Sequence, residues 1–98
     1  MAETSKKRLE WARPARSAFE ATISRIATEY PHTASLVEGR VMRSLALLQA
    51  HPDLGVPSAL LGRRSYPVPN TGHTVTYRVT RDVILILRWY RQRQNMAR

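Results

Sequence analysis

Two series of hydrophobic residues recur at intervals of three or four positions, which is the period of an α-helix. They are Phe19, Ile23, Ile26 and Tyr30, followed by Val37, Val41, Leu45 and Leu48. Pro31 separates the two series, and Thr33 is the predicted N-cap of the second helix. His51, Pro52 and Gly55 end the second series. The pattern predicts two helices with apolar faces, joined by a short break and packed on an apolar surface.

The period changes to strict alternation in the last third of the chain. Residues 74–80 place valine or tyrosine at every second position, with threonine and arginine between them, which predicts a half-buried strand. Arg81 and Asp82 form a predicted tight turn. The apolar run 83–89 is rich in β-branched residues and predicts a central strand covered on both faces. Pro67 restricts any strand over residues 64–68 to a sheet edge or to a short length.

A further alternation, Leu9 and Trp11 around Glu10, stands just before Pro14. It predicts a short first strand that leads into a helix with proline in its first turn. The order is then one strand, two helices and three antiparallel strands, which predicts an α+β fold with the helices on one face of a small sheet. Residues 1–8 are a predicted flexible N-terminal tail, and residues 9–98 are a predicted single domain.

Positive charge is concentrated towards the end of the chain. The formal net charge is +9, and residues 63–98 contain eight arginines and a single acid, Asp82, which leaves +7 in this third. The planar guanidinium of arginine suits bidentate contacts with phosphate or carboxylate. The asymmetry favours a binding face for nucleic acid or an acidic protein segment over a merely solvated basic surface.

Composition excludes several kinds of chemistry. The chain has no cysteine, so disulfides, thiolate metal sites and cysteine nucleophiles are excluded. Metal, calcium and phosphate-loop motifs are missing, and no metal or cofactor is expected. His32, His51 and His73 have no carboxylate at local spacing and are interpreted as surface or packing residues. The longest wholly apolar run is residues 83–87, so we expect a cytoplasmic protein without membrane contact.

Arginine and aromatic residues are interleaved near the end of the chain. Such residues can hold phosphates and stack on bases, and a strand presents alternate ones on the same face. Trp89 is expected to close the edge of the core, whereas both a binding role and a structural role are open for Tyr90 and Arg91. The candidate target-binding residues are Arg88, Tyr90, Arg91 and Arg93.

Four segments together resemble the RelE/ParE superfamily of toxin proteins, and the ParE-like members most of all. They are ALLQAHPDLG (46–55), RSYPVP (64–69), TYRV (76–79) and VILILR (83–88). Their order and spacing are fairly specific, and the resemblance covers about residues 9 to 95. It implies the same layout of strand, helical hairpin and sheet that the periodicity predicts.

The resemblance implies the toxin of a type II toxin–antitoxin system. A cognate antitoxin would hold it inactive through an acidic amphipathic segment that folds on binding, and a toxin–antitoxin hetero-oligomer is expected. ParE-like members poison DNA gyrase, whereas RelE-like members cut mRNA in the ribosome. Gyrase is the favoured target. The alternatives are a ribosome-dependent mRNA endonuclease and a nucleic-acid-binding module without toxicity.

The RelE-like alternative depends on four residues. Arg64, Arg78 and Arg91 would stabilise phosphate charge, and Tyr90 would transfer the proton. Arg91 stands where many members of the superfamily carry histidine, and Gln92 stands where they carry glycine. Arginine stays protonated at working pH and cannot act as a general base. Because this removes the His and Glu version of the nuclease mechanism, a non-enzymatic gyrase-binding toxin is favoured.

Overall fold

The computed structural model describes residues 6–92 of the 98-residue chain. A short first strand is followed by two helices and then by the remaining strands. The helices are α1 (Arg13–Glu29) and α2 (Pro31–Ala50), and the strands are β1 (Arg8–Trp11), β2 (Val56–Pro57), β3 (Arg63–Val68), β4 (His73–Val79) and β5 (Val83–Arg91). A 3-10 turn, Pro52–Leu54, joins α2 to β2.

The five strands of the described chain form one mixed sheet with the order β1-β5-β4-β3-β2. β1 is parallel to β5, with Leu9 opposite Ile84, and the other neighbours are antiparallel. The predicted α+β fold and its three antiparallel strands are confirmed. Strand β2 was not predicted, because two residues are too short to show alternation.

The two helices meet at Tyr30 without a loop. The Tyr30 amide donates to the Ile26 carbonyl at 2.7 Å and ends α1, and Pro31 is already the first residue of α2. The prediction that Thr33 caps α2 is therefore wrong. Proline has a fixed φ and no amide hydrogen, so it suits the first helical position and the helix starts there. Pro14 lies in the first turn of α1, as predicted.

The core lies between the helices and one face of the sheet. Its largest fully buried side chains come from α2, β4 and β5 and are Val41, Leu45, Leu48, Val75, Tyr77, Ile84 and Ile86. Phe19 of α1 is buried with them, and Ile23 and Val79 pack at the edge of the cluster. Tyr30 continues the α1 series by its spacing, but it is 62% exposed at the helix junction. The predicted packing of helices on the sheet is confirmed.

Strand β4 is buried on both faces over much of its length, whereas the sequence predicts one exposed face. Thr74 and Thr76 are 6% and 5% exposed, although Arg78 is exposed as expected. The cause is the position of β4 between two other strands. Thr76, for example, lies directly opposite Ser65 of β3 on one side and Arg88 of β5 on the other.

Strand β5 has a neighbour on each edge, as predicted for a central strand. Ile84 and Ile86 face the helices and are fully buried, whereas Leu85 and Leu87 are only half-buried. The predicted cover on both faces is wrong, because the helical layer lies on the side of the two isoleucines.

The lead-in to β1 is held at the β4–β5 turn. The Lys7 ammonium donates to the carbonyls of Thr80 and Arg81 at 2.9 and 2.6 Å, and the Gln49 side-chain amide donates to the Lys7 carbonyl at 2.7 Å. Residues 1–5 of the predicted tail lie outside the described residues. Neither α1 nor α2 is long and apolar enough to cross a membrane.

Candidate binding face

A β-bulge between β4 and β5 decides which side chains of β5 leave the core. Thr76 lies opposite Arg88, but the next residue of β4, Tyr77, lies opposite Ile86, so β5 contains one extra residue, Leu87. The alternation changes phase at this point. Ile86 faces the core and Arg88 faces the other side of the sheet, although they are two residues apart. An unbroken register would turn Arg88 towards the helices.

The helix-free face of the sheet carries arginines on three adjoining strands. Arg63 of β3 lies directly opposite Arg78 of β4, so the two side chains are on the same face. Arg88 and Tyr90 of β5 share this face, because each lies opposite a threonine on the Arg78 side of β4. Arg63 was not among the predicted residues. We call these four residues, Arg63, Arg78, Arg88 and Tyr90, the basic sheet face.

Arg88 and Tyr90 form a pair on this face. The guanidinium carbon of Arg88 lies 4.7 Å from the centroid of the Tyr90 ring, which is a cation–π contact. Arg88 is exposed and Tyr90 is half-buried. The contact fixes the ring beneath a charge that stays accessible to a ligand. Two of the predicted target-binding residues are thus brought together.

Arg64 points to the opposite side of the sheet from the basic sheet face. It lies opposite Tyr77, a core residue. Its guanidinium donates to the Gly55 carbonyl at 2.6 Å and lies 3.9 Å from the carboxylate of Asp53. These contacts hold the segment after α2 against β3. The structure does not bring Arg64 together with Arg78 or Tyr90.

Arg91 is the last residue of β5 and lies opposite His73. Alternation places it on the same side as Trp89 and on the opposite side from Tyr90. Its side chain is exposed. Arg93 lies outside the described residues. The four residues of the RelE-like alternative are therefore divided between the two faces of the sheet.

Trp89 closes the edge of the core, as predicted, and is 5% exposed. Its indole nitrogen donates to the Thr22 hydroxyl at 2.9 Å, and its ring stacks on His73 at a centroid distance of 4.6 Å. His73 is buried, whereas His32 and His51 are exposed. The interpretation of the three histidines as surface or packing residues agrees with these positions.

The alternating pattern of β4 predicts only an apolar role for Tyr77, yet its hydroxyl holds the segment after α2. The hydroxyl donates to the Pro52 carbonyl at 2.7 Å and accepts from the Gly55 amide at 2.9 Å. Burial raises the pKa of the Tyr77 hydroxyl above its ordinary value. The glycine at position 55 is the sequence feature that could have indicated a close approach of another chain segment. A Cβ at Gly55 would lie 2.7 Å from the Tyr77 hydroxyl and from the Ser65 carbonyl.

Among residues 6–92, the guanidinium groups of the basic sheet face have no carboxylate within ion-pair distance. Strand register places the acid Glu10 on this side of the sheet, opposite Leu85 and paired with Arg8 at 3.5 Å. Leu85 precedes Tyr90 by five residues, roughly 17 Å along a strand. Within residues 6–92, no three His, Cys, Asp or Glu side chains cluster closely enough to hold a metal ion. The arrangement is suited to binding an anion.

One protein family matches the chain over almost its whole length. The sequence profile of the ParE toxin of the type II toxin–antitoxin system parDE matches residues 9–96. The chain belongs to the ParE toxin family. No curated protein has a significant sequence match to it.

Several solved structures share the fold of this ParE-family chain. A chain of the chromosomal ParDE toxin–antitoxin system from P. aeruginosa superposes with a TM-score of 0.78 at 23% identity, covering 90% of this chain and 98% of that one. The isolated RelE toxin of E. coli gives a TM-score of 0.68 at 11% identity, with 92% and 88% covered. The YoeB dimer of Staphylococcus aureus gives 0.61 at 14% identity, with 86% and 94% covered. The two helices on an open sheet are therefore the fold of these solved structures.

Proposed function

We propose that this ParE-family protein inhibits growth by binding DNA gyrase and is neutralised by a cognate antitoxin. The family match over residues 9–96 carries the proposal, because gyrase poisoning is the activity associated with ParE-like toxins. The net charge of +9 supports it, since both an acidic antitoxin and an enzyme bound to DNA attract a basic protein. The site of action would be the cytoplasm, where gyrase and the chromosome meet.

A cognate antitoxin is the proposed protein partner, in a hetero-oligomeric complex. The E. coli RelBE structure, an intact toxin–antitoxin complex, matches this chain with a TM-score of 0.67 at 11% identity. Helix α2 offers apolar surface for such a partner, since Leu36, Met42 and Leu47 are each more than 40% exposed. A cleft of about 280 Å³ beside Leu47 is also lined by Arg40 and Arg43. An acidic amphipathic segment would complement both features.

The geometry supports a binding mechanism over ribosome-dependent mRNA cleavage. Cleavage would require Arg64, Arg78, Tyr90 and Arg91 to act around one phosphate. Arg64 is engaged by the Gly55 carbonyl, and Arg91 lies on the opposite face from Tyr90. Phosphoryl chemistry also needs a proton acceptor within hydrogen-bond reach of the reacting hydroxyl. The strand register places the acid Glu10 opposite Leu85, which precedes Tyr90 by five residues, roughly 17 Å along β5.

Induction in a bacterial host tests this proposal. Gyrase poisoning should produce filaments and a DNA-damage response, whereas mRNA cleavage halts translation and a non-toxic binding module leaves growth unchanged. Co-expression of a small acidic protein encoded by an adjacent gene should restore growth. The purified toxin should inhibit supercoiling by gyrase. Normal growth with soluble protein present, together with unimpeded supercoiling, would contradict the proposal.

A matched pair of variants connects the activity to the surface. Arg88→Ala combined with Tyr90→Ala removes the cation–π pair and should weaken gyrase inhibition. Arg25→Ala, an exposed position on α1, should leave it unchanged. Equal gyrase inhibition by the two variants would show that this face does not contribute to the inhibition.

A further inference from the structure

Arg63 and Arg78 lie directly opposite each other in the β3–β4 pair. Like charges at such positions destabilise an antiparallel pair. Among residues 6–92, neither guanidinium has a carboxylate within ion-pair distance. Their repulsion is uncompensated within the described chain. An anion bound between the two guanidinium groups would relieve it.

Arg88 adds a third guanidinium on the next strand. It lies opposite Thr76, which is two residues from Arg78 along β4, a distance of about 7 Å. The positive charges therefore extend across β3, β4 and β5. This row fits an extended polyanion better than a single small ion. The Tyr90 ring, held under Arg88, adds an aromatic surface at the end of the row.

The surfaces suited to a protein partner lie elsewhere in the described chain. The exposed large hydrophobic side chains lie at the helix junction, on α2 and in the segment between α2 and β3, and they are Tyr30, Leu36, Met42, Leu47, Leu54, Val56, Leu60 and Leu61. The centre of a protein interface is depleted in charged residues. Interfaces with DNA are polar and strongly positive. The basic sheet face has the polar, strongly positive composition of an interface with DNA.

We propose that the basic sheet face binds the phosphodiester backbone of DNA, so that the toxin contacts the DNA held by gyrase as well as the enzyme. The contact with DNA held by gyrase rests on the proposed function. DNA binding itself is measured without gyrase. Arg63 and Arg78 share one phosphate, and Arg88 contacts a neighbouring one. Binding is independent of base sequence, because backbone contacts position a protein without reading bases.

The test measures binding of the full chain to a fluorescently labelled 20-base-pair DNA duplex by anisotropy at several salt concentrations. Loss of one phosphate contact in the double variant Arg63→Gln, Arg78→Gln should reduce the slope of log affinity against log salt by about 0.9. At 0.1 M salt this corresponds to about eightfold weaker binding. The matched control is Arg13→Gln with Arg25→Gln, which removes the same charge from exposed positions of α1 and should retain the slope.

A melting curve without DNA separates lost binding from lost folding. The Arg63→Gln, Arg78→Gln variant should melt no lower than the wild type, because it removes a like-charge pair. Equal slopes for this variant and the α1 control would overturn the inference. Competition by polyglutamate as effective, charge for charge, as competition by DNA would also overturn it and would indicate an acidic protein ligand.

The gyrase assay distinguishes this inference from the proposed function. Full gyrase inhibition by a variant that no longer binds DNA would overturn the inferred contact with gyrase-held DNA and leave the proposed function standing. DNA binding by the wild type without any gyrase inhibition would overturn the proposed function and leave DNA binding by the basic sheet face standing.

Discussion

The Tyr77 hydroxyl accepts a hydrogen bond from the Gly55 amide at 2.9 Å and donates one to the Pro52 carbonyl at 2.7 Å. It thereby pairs two backbone groups of the segment that links α2 to the sheet. Unpaired buried groups of this kind destabilise a fold. The contact requires glycine at position 55, since the nearest atoms leave no room for a Cβ. A core tyrosine thus determines the path of a chain segment.

Gly55→Ala should destabilise the protein by roughly 1–3 kcal/mol, because the new Cβ would meet the Ser65 carbonyl and the Tyr77 ring. The φ of Gly55 is −72°, so the cost comes from the close approach and not from the backbone conformation. Gly39→Ala is the matched control. Its Cβ meets only Arg43 at 3.5 Å, and a glycine inside a helix is replaced with a gain of about 0.5–1 kcal/mol. Urea unfolding should show opposite signs for the two variants.

Tyr77→Phe should cost about 1–3 kcal/mol at neutral pH, because the Pro52 and Gly55 groups lose their partner. The pKa of Tyr77 is raised by burial from 10.0, so the protonated hydroxyl is the form that stabilises the fold. Its contribution is complete below pH 10 and is lost as the pH rises through the folded pKa. The stability difference between wild type and variant should therefore be constant from pH 7 to 9 and shrink above pH 10. A difference that stays constant to pH 11 would contradict this assignment.

The helices were predictable from sequence because their signal is local. The spacing from Val37 to Leu48 identifies the buried face of α2 directly. The parallel pairing of β1 with β5 has no such signal, since Leu9 and Ile84 are distant in sequence. The last three strands were predicted as one antiparallel unit, and β1 had no predicted partner. The helices lead the chain to β2 at the opposite edge of the sheet, and the last strand, β5, returns it to β1.

The composition of the basic sheet face was predicted only in part, because a shift of one residue reverses the face of a strand. The face to which Arg64 points is one example. It is decided by the register of β3 against β4, in which Arg63 lies opposite Arg78. The bulge at Leu87 produces another shift and turns Arg88 away from the core. Neither register is visible in the strands taken singly.

Thr22→Val should destabilise the protein by about 1–3 kcal/mol, because it leaves the buried indole N–H of Trp89 without its acceptor. Thr22→Ser keeps the hydroxyl and should cost less. Thr28→Val is the matched control on the same helix, since the Thr28 hydroxyl also donates to a carbonyl four residues earlier but is exposed. Tryptophan fluorescence during urea unfolding provides the measurement. Equal losses for Thr22→Val and Thr28→Val would show that helix propensity alone is responsible.

Leu45→Ala should cost roughly 2–5 kcal/mol, because it opens a cavity where α2 packs on the sheet. Ile86→Ala removes a fully buried side chain from the opposite layer and should cost a similar amount. Leu61 is 99% exposed, so Leu61→Ala should change the stability by no more than about 0.5 kcal/mol. If the two core variants melted like the Leu61 control, the packing of helices on the sheet would be refuted.

Tyr90 is the residue at which a binding mechanism and a catalytic mechanism predict the most different outcomes. Tyr90→Phe removes the hydroxyl but keeps the ring beneath Arg88. A binding toxin should therefore keep its activity within a few-fold, whereas a nuclease that loses its proton-transfer group typically loses about 10²-fold or more. Tyr90→Ala removes the ring as well and is the control that should weaken binding. Supercoiling by gyrase and mRNA cleavage in translation extracts give the two readouts.

Truncation tests the chain end in the same assays, and the structure determines where to cut. Arg91 belongs to β5, and the Gln92 amide donates to the Gly72 carbonyl at 2.7 Å, so a deletion that starts at Arg91 would damage the sheet. Deletion of residues 93–98 retains all of β5 and the Gln92 contact and should weaken activity, because it removes two arginines. Arg91→Ala alone should have a graded effect, since an exposed ionic contact is worth well under about 1 kcal/mol. Ribosome-dependent cleavage that disappears with Tyr90→Phe while gyrase is unaffected would instead establish the nuclease.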